Sequence, residues 1–327
     1  MRAFVTGATG FVGLNLVAEL IDRGFEVVAL HRDGADLRQL SRHGVRLAAG
    51  PITESAAVER AMPERVDAVF HVAGDTNMWS RRNAEQFRAN VEGTRNVVRA
   101  ALARGARRVV HTSSIAAYGI HPDPIDERTP QLGRDSWIHY LRTKALAEDE
   151  VRAAVADGLD AVIVNPANVL GPYDERNWAR MIRRAATGRL PAVPPGRGSF
   201  CHVREVARAH VAALERGRTG ENYLLGGADA SYLDLVREVC ALVGSVAPPR
   251  AIAPWKLKTY ARFSTWSYPV TGRRPVVTPE TAALGSASMV CRDAKAVREL
   301  GHRPVPLRDM LADCLAWLRS EGALGRS

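Results

Sequence analysis

The chain has 327 residues, 46% hydrophobic and 24% charged, a balance that excludes a disordered tract and allows one large domain or a domain with an appended lobe. A formal net charge of +10 raises nucleic acid as a partner, but the arginines are spread over many segments and form no basic run interleaved with aromatics, so nucleic-acid binding is not expected. Cys201, Cys240, Cys291 and Cys314 stand far apart with no C-x-x-C, which argues against a zinc site or a disulfide framework and fits a reducing cytoplasm.

The first strand is read at RAFVTG (2–7), leaving no room for a signal peptide, and a helix follows to Gly24. FEVVALHR and GVRLAAG are the second and third strands, AAVERAM a short helix, and VDAVFHVAG the fourth strand. One long helix is expected over 83–104, a fifth strand at RRVVHTSS, a helix over 137–156 and a sixth strand at LDAVIVNP. After Pro166, prolines and glycines break the chain into shorter pieces. A helix and strand at 205–217 and 221–227 rejoin the sheet, and further helices are expected at 231–243, 254–266, 293–300 and 306–319. No apolar run approaches the roughly 18 residues of a membrane span. Alternation of this kind predicts an α/β fold, a Rossmann-type doubly wound parallel sheet. Residues 1–170, with segments near 200–227, form the dinucleotide-binding core. Residues 171–327 form a smaller, mostly helical substrate lobe.

TGATGFVG (6–13) joins the first strand to the first helix, with Gly7, Gly10 and Gly13 spaced by three. Such a turn brings backbone N–H groups of Thr9, Gly10, Phe11 and Val12 to a pyrophosphate at a helix N-terminus. At the end of the second strand, where an acidic residue would favour NAD, stands His31-Arg32. A guanidinium there suits a 2′-phosphate, and Arg38 supplies a second cation, so NADP is expected over NAD, although Asp33 competes for Arg32. In WIHYLRTKALAE (137–148), Tyr140 and Lys144 lie four apart and therefore on one helical face.

With the glycine loop, HTSSIAAYG (111–119) and Tyr140-x-x-x-Lys144, the chain resembles the extended short-chain dehydrogenase/reductases. HVAG (71–74), NVEGT (90–94), NPANVLGP (165–172) and FCHVREVARAH (200–210) extend the resemblance over nearly the whole length. HVAGDTNMWS and the stretch at 218–227 look most like the dihydroflavonol 4-reductase-like branch. The resemblance implies that Tyr140 donates a proton to a substrate carbonyl oxygen, that Ser114 hydrogen-bonds the same oxygen, and that Lys144 lowers the phenol pKa and holds the nicotinamide ribose. Ser113 is the competing assignment for Ser114. Ala73, Gly74, Thr112, Ile52 and Pro166 to Val169 are further cofactor positions by resemblance. His71 and Asn90 are read as backbone fixers and His202 as packing. Three departures stand out: Gly50-Pro51-Ile52 lacks the acidic residue for the adenine amino group, Arg204-Glu205 replaces an acidic pair, and HVAG has Gly at its fourth place.

The pocket is expected from Asp75 to Trp79 (Thr76, Asn77 and Trp79 in particular), Ile115, and the loop from Tyr173 to Trp178. Segment 254–275 is open to three readings: a lobe helix packed on the core, a lid over a hydrophobic or aromatic substrate, or membrane-surface contact. The activity expected is NADPH-dependent reduction of a hydrophobic or aromatic ketone or aldehyde, reversible as an alcohol dehydrogenase. Its rivals are an NAD-dependent nucleotide-sugar epimerase, a sugar 4,6-dehydratase, and a non-catalytic NADP sensor. A homodimer through helices 83–104 and 137–156 follows from the resemblance.

Overall fold

The computed structural model describes residues 1–248, 250–272 and 274–324. Seven parallel strands form the main sheet. They are β1 (Arg2–Thr6), β2 (Glu26–His31), β3 (Arg46–Ala49), β4 (Ala68–His71), β5 (Val109–Thr112), β6 (Ala161–Pro166) and, after two strands described below, β9 (Asn222–Leu225). Their order is β3-β2-β1-β4-β5-β6-β9. β4, β5 and β6 are buried along their whole length, as expected where helices cover both sheet faces. The chain leaves β1 toward β2 on one side and returns to β4 on the other. The strand order therefore reverses between β1 and β4, and a crevice opens above their carboxyl ends.

Helices α1 (Phe11–Asp22), α2 (Ser55–Ala61), α3 (Asn83–Phe87), α4 (Gly93–Ala103) and α5 (His139–Ala156) link these strands. The helix expected over 83–104 is interrupted by a π turn at Arg88–Glu92. From that turn Asn90 accepts the Asp75 N–H at 2.7 Å and donates to the Asp75 carbonyl at 3.0 Å, pinning the loop after β4 as its expected backbone-fixing part requires. α5 starts two residues later than expected. Ser136 accepts the Ile138 N–H, and Trp137 is left 60% exposed outside the helix, so it does not join Leu141 and Ala145 on the buried face.

The later half is mostly helical, as the sequence suggests, but it also holds short strands that the sequence did not show. β7 (Asn168–Leu170), β8 (Arg197–His202), β10 (Ala228–Ser231) and β11 (Ser288–Met289) make a second, small sheet, with β8 paired to all three others. Around it lie α6 (Trp178–Ala186), α7 (Val203–Arg216), α8 (Tyr232–Val243), α9 (Pro254–Trp266), α10 (Tyr268–Thr271), α11 (Pro279–Leu284), α12 (Ala294–Leu300) and α13 (Leu307–Ser320). α7 packs on α1 and the main sheet, whereas α6, α8 and α13 close a separate apolar cluster over β8. All four cysteines are free and buried. Among the described residues no helix is long and apolar enough to cross a membrane.

Candidate active site

A cleft of about 790 Å³ runs from the β1–α1 loop, across the ends of β4 to β6, to the loop before α6. At its first end Gly7 has φ +73°, and a Cβ there would sit 2.5 Å from the Ala73 nitrogen. A Cβ on Gly13 would stand 2.1 Å from the Gly7 carbonyl oxygen, so α1 meets the loop at a distance that only glycine permits. The result is a turn whose residues Thr9, Gly10, Phe11 and Val12 line the cleft at the start of a twelve-residue helix. A backbone so arranged is an anion cradle.

Arg32 lines the same end. Asp33 forms no ion pair with it among the described residues. Arg38 is different. Its guanidinium is held by Asp36 at 2.6 Å, and it lies outside the cleft lining while Asp36 and Gln39 are within it. Ile52 also lies outside, packed beside Gly93, with its carbonyl accepting from Asn96. Ala73 is used by the fold, donating its N–H to the Thr6 hydroxyl, and Val72 and Gly74 line the cleft in its place.

Ser114, Tyr140 and Lys144 come together at the centre. Ser114 caps a short 3-10 turn, accepting the Ala116 N–H at 3.2 Å, and its hydroxyl donates to the Pro166 carbonyl at 3.4 Å beside the Tyr140 phenol. Burial pushes the Tyr140 phenol above its usual pKa, and the neighbouring Ser114 hydroxyl opposes that. This differs from the sequence reading, in which Lys144 draws the phenol down. The Lys144 ammonium instead donates to the Thr112 carbonyl at 3.0 Å, and burial lowers its own pKa to about 8.

Ser113 also lines the cleft, but its hydroxyl is engaged away from this chemistry. Its hydroxyl donates to Glu148, a fully buried carboxylate that also accepts from Asn165 at 2.6 Å, Gln131 and Arg152 at 2.7 Å, and Asn222 at 2.9 Å. Asn165 donates in turn to the Ser114 carbonyl at 3.1 Å. This network ties β5, β6, β9 and α5 together beneath the cleft. His71 is a second buried tie, bonded to Thr6 at 2.7 Å and Thr94 at 2.9 Å; burial, and then the charge of Lys144, lower its pKa to about 3, so it stays neutral.

The far end of the cleft is lined by Thr76, Met78, Ile115 and Leu284, and the loop from Tyr173 to Trp178 adds Asp174, Glu175, Arg176 and Asn177 to its two aromatics. Tyr173 has φ +71°, unusual for a side chain of its size, and its ring packs 5.7 Å from Trp317 of α13. Trp178 stacks edgewise on Phe200 at 5.2 Å. Asn77 and Trp79 fall outside the lining. Asn77 is bonded within its own loop and to Arg274, and Trp79 packs 5.0 Å from Tyr268. No described residue of 254–275 lines the cleft, so the lining does not support the lid reading of that segment. Arg204 is paired with Asp313 at 3.0 Å, away from the site, and His202 caps α7 through the Arg204 N–H. Sequence reasoning missed Tyr232, Leu284, Met289 and Trp317, which tertiary structure alone brings to the cleft.

The pattern matches the model of the NAD dependent epimerase/dehydratase family over residues 3–226. The chain belongs to that family, within the extended short-chain dehydrogenases/reductases. It is 31% identical to a protein of Synechocystis sp. named for dihydroflavonol 4-reductase, covering 98% of this chain and 95% of that one. It is 33% identical to sterol demethylase protein B of Methylococcus capsulatus, over 99% and 100% of the two chains. The solved structure of gox2253 superposes with a TM-score of 0.86 at 35% identity, covering 99% of each chain. The family member described here is thus an NAD(P)-dependent enzyme of oxidoreductase or epimerase type.

Proposed function

We propose that this family member is an NADPH-dependent reductase of a hydrophobic or aromatic ketone or aldehyde, running reversibly as an alcohol dehydrogenase. The observation that carries this reading is one cleft with a glycine cradle and Arg32 at one end, Ser114, Tyr140 and Lys144 at the centre, and apolar Met78, Ile115 and Leu284 beside that tyrosine. The cradle fits a dinucleotide, because the space a Cβ on Gly7 or Gly13 would fill is already taken by backbone. Backbone N–H groups from Thr9 to Gly13 hold the pyrophosphate and Arg32 the 2′-phosphate, while Gly74, Thr112 and the 166–169 segment border the nicotinamide half. When bound, NADPH supplies the hydride.

The residues of this chain do the rest. Ser114 donates a hydrogen bond to the carbonyl oxygen, polarising it and steadying the alkoxide as it forms. Tyr140 delivers the proton to that oxygen. Lys144, with a pKa of about 8, holds the ribose hydroxyls. Thr76, Ile115, Tyr173 and Trp178 border the substrate. The reductase name of the Synechocystis relative supports this direction of chemistry. A homodimer through helices 83–104 and 137–156 belongs to the same reading, and gel filtration tests it.

The test is a parallel titration of purified protein with NADPH and NADH, after checking for nucleotide released on denaturation. NADPH bound much more tightly than NADH to an initially nucleotide-free protein, with turnover of apolar carbonyls, is expected. NAD that co-purifies and resists removal would overturn the reductase in favour of a nucleotide-sugar epimerase.

A further inference from the structure

α9 has two unlike sides. Leu257 and Ala261 are buried against Ala282 of α11, with Ile252 and Val277 around them. The other side is aromatic and open. Trp255, Tyr260, Phe263 and Trp266 are 65%, 51%, 63% and 76% exposed. Among the described residues the only other aromatic left so exposed is Trp137, so this concentration is particular to one 13-residue helix. At roughly 100° per residue, Trp255, Phe263 and Trp266 share an outward arc of about 80°, opposite Leu257 and Ala261. Lys256, Lys258 and Arg262 flank that arc, and the helix carries no Asp or Glu. Among the described residues no carboxylate forms an ion pair with these three cations.

An apolar patch of this kind marks a surface that is covered by something. The cleft is not what it covers, because none of these side chains lines it. A second copy through the same face would bring two unneutralised basic helices together, with no acid on either to match them. A bilayer interface carrying anionic headgroups meets both needs: its boundary zone takes Trp, Tyr and Phe rings, and its phosphates match the flanking cations.

We propose that α9 is a peripheral docking element for an anionic phospholipid surface. Its location gives the docking a use. α9 packs on α11, and Leu284 of α11 lines the far end of the cleft, so the apolar end of the site lies one helix from the docked face. Delivery of an apolar carbonyl compound from the lipid rests on the reductase reading; the docking itself does not.

Co-sedimentation of the full chain with vesicles tests it. One set is phosphatidylcholine alone, and the other phosphatidylcholine doped with phosphatidylserine. The protein is expected to pellet with the doped vesicles at low salt, to stay soluble with the neutral ones, and to be released by high salt. Lys256→Glu/Lys258→Glu/Arg262→Glu is expected to weaken binding about tenfold or more, given the contribution of each cation near an anionic surface. Trp255→Ser/Phe263→Ser/Trp266→Ser is expected to do the same with an unchanged melting temperature and unchanged NADPH affinity. Because binding is read without turnover, failure of the reductase assay would leave this result standing. Absence of pelleting with the doped vesicles, or equal pelleting with both sets, would overturn the proposal. So would a dimer in solution that the serine variant converts to monomer without affecting lipid binding.

Discussion

The Lys144 ammonium hydrogen-bonds the Thr112 carbonyl at 3.0 Å while only 7% of the residue is exposed. Burial holds its pKa at about 8, against an ordinary value of 10.5, with Glu148 one turn on working the other way. Because the folded pKa is below the unfolded one, unfolding takes up a proton between those values. The stability contribution of this group therefore rises with pH from about 8 to 10.5, and its full cost is present below 8. The shift corresponds to about 3 kcal/mol, and loss of the hydrogen bond to Thr112 returns about 1. Lys144→Met is thus expected to be inactive and yet more stable at pH 7 by about 1–2 kcal/mol, a gain that disappears near pH 10. Thermal melts at the two pH values check this; a lower melting temperature at pH 7 would refute it.

Ser113 and Ser114 are neighbours with opposite commitments, and single substitutions separate them. Ser114 reaches the cleft and Tyr140, so Ser114→Ala is expected to lower kcat about a hundredfold with little change in melting temperature. Ser113 donates to the buried Glu148, so Ser113→Ala is expected to cost about 1–3 kcal/mol of stability and less than about tenfold in kcat. Steady-state kinetics paired with denaturant melts sort the two, and a reversed pattern would move the catalytic assignment to Ser113.

The glycine loop contains two kinds of position. A Cβ on Gly13 would overlap the Gly7 carbonyl at 2.1 Å, and the atom it meets is backbone. Gly13→Ala is expected to destabilise the fold by about 3 kcal/mol or to abolish folding. A Cβ on Gly10 meets only the Gly7 carbonyl oxygen, at 3.3 Å, and otherwise points into open space. Gly10→Ala is therefore expected to fold with nearly the parental melting temperature while binding NADPH at least about tenfold more weakly, because the methyl stands where a phosphate would approach. Circular-dichroism melts and a fluorescence titration measure each effect separately.

The seven-stranded sheet was readable because strands such as AVIVNP are buried on both faces and appear as continuous apolar runs. Tyr140 and Lys144 were readable because a helix carries its own ruler. The small sheet was not. Its strands RGSFCH and ADAS are short and rich in small residues, and β8 finds its partners in three distant segments. α6 did carry a signal that went unread: Ala179, Ile182 and Ala185 recur at threes, and Asp174 caps the turn before them by accepting N–H groups of Arg176, Asn177 and Ala179. Trp317 and Tyr232 reach the cleft only because α13 and β10–α8 fold over it, which no local pattern encodes.

Arg32 and Arg38 were both read as cations for a 2′-phosphate, Arg38 as the second of the two, and the structure separates them. Arg32 faces the cleft, whereas Arg38 gives its guanidinium to Asp36 at 2.6 Å. A charge-assisted hydrogen bond to phosphate is worth about 1.5–3 kcal/mol, or roughly 10- to 150-fold in affinity. Arg32→Gln is accordingly expected to raise the Kd for NADPH by at least about tenfold and to change that for NADH by less than about threefold. Arg38→Gln, which removes a cation already neutralised, is expected to change neither by more than about threefold. The preference should also shrink as salt rises, because Arg32 is solvent-exposed. Equal losses of NADPH and NADH affinity in Arg32→Gln would show that the guanidinium holds some other part of the nucleotide, and the choice of NADP over NAD would then lose its structural basis.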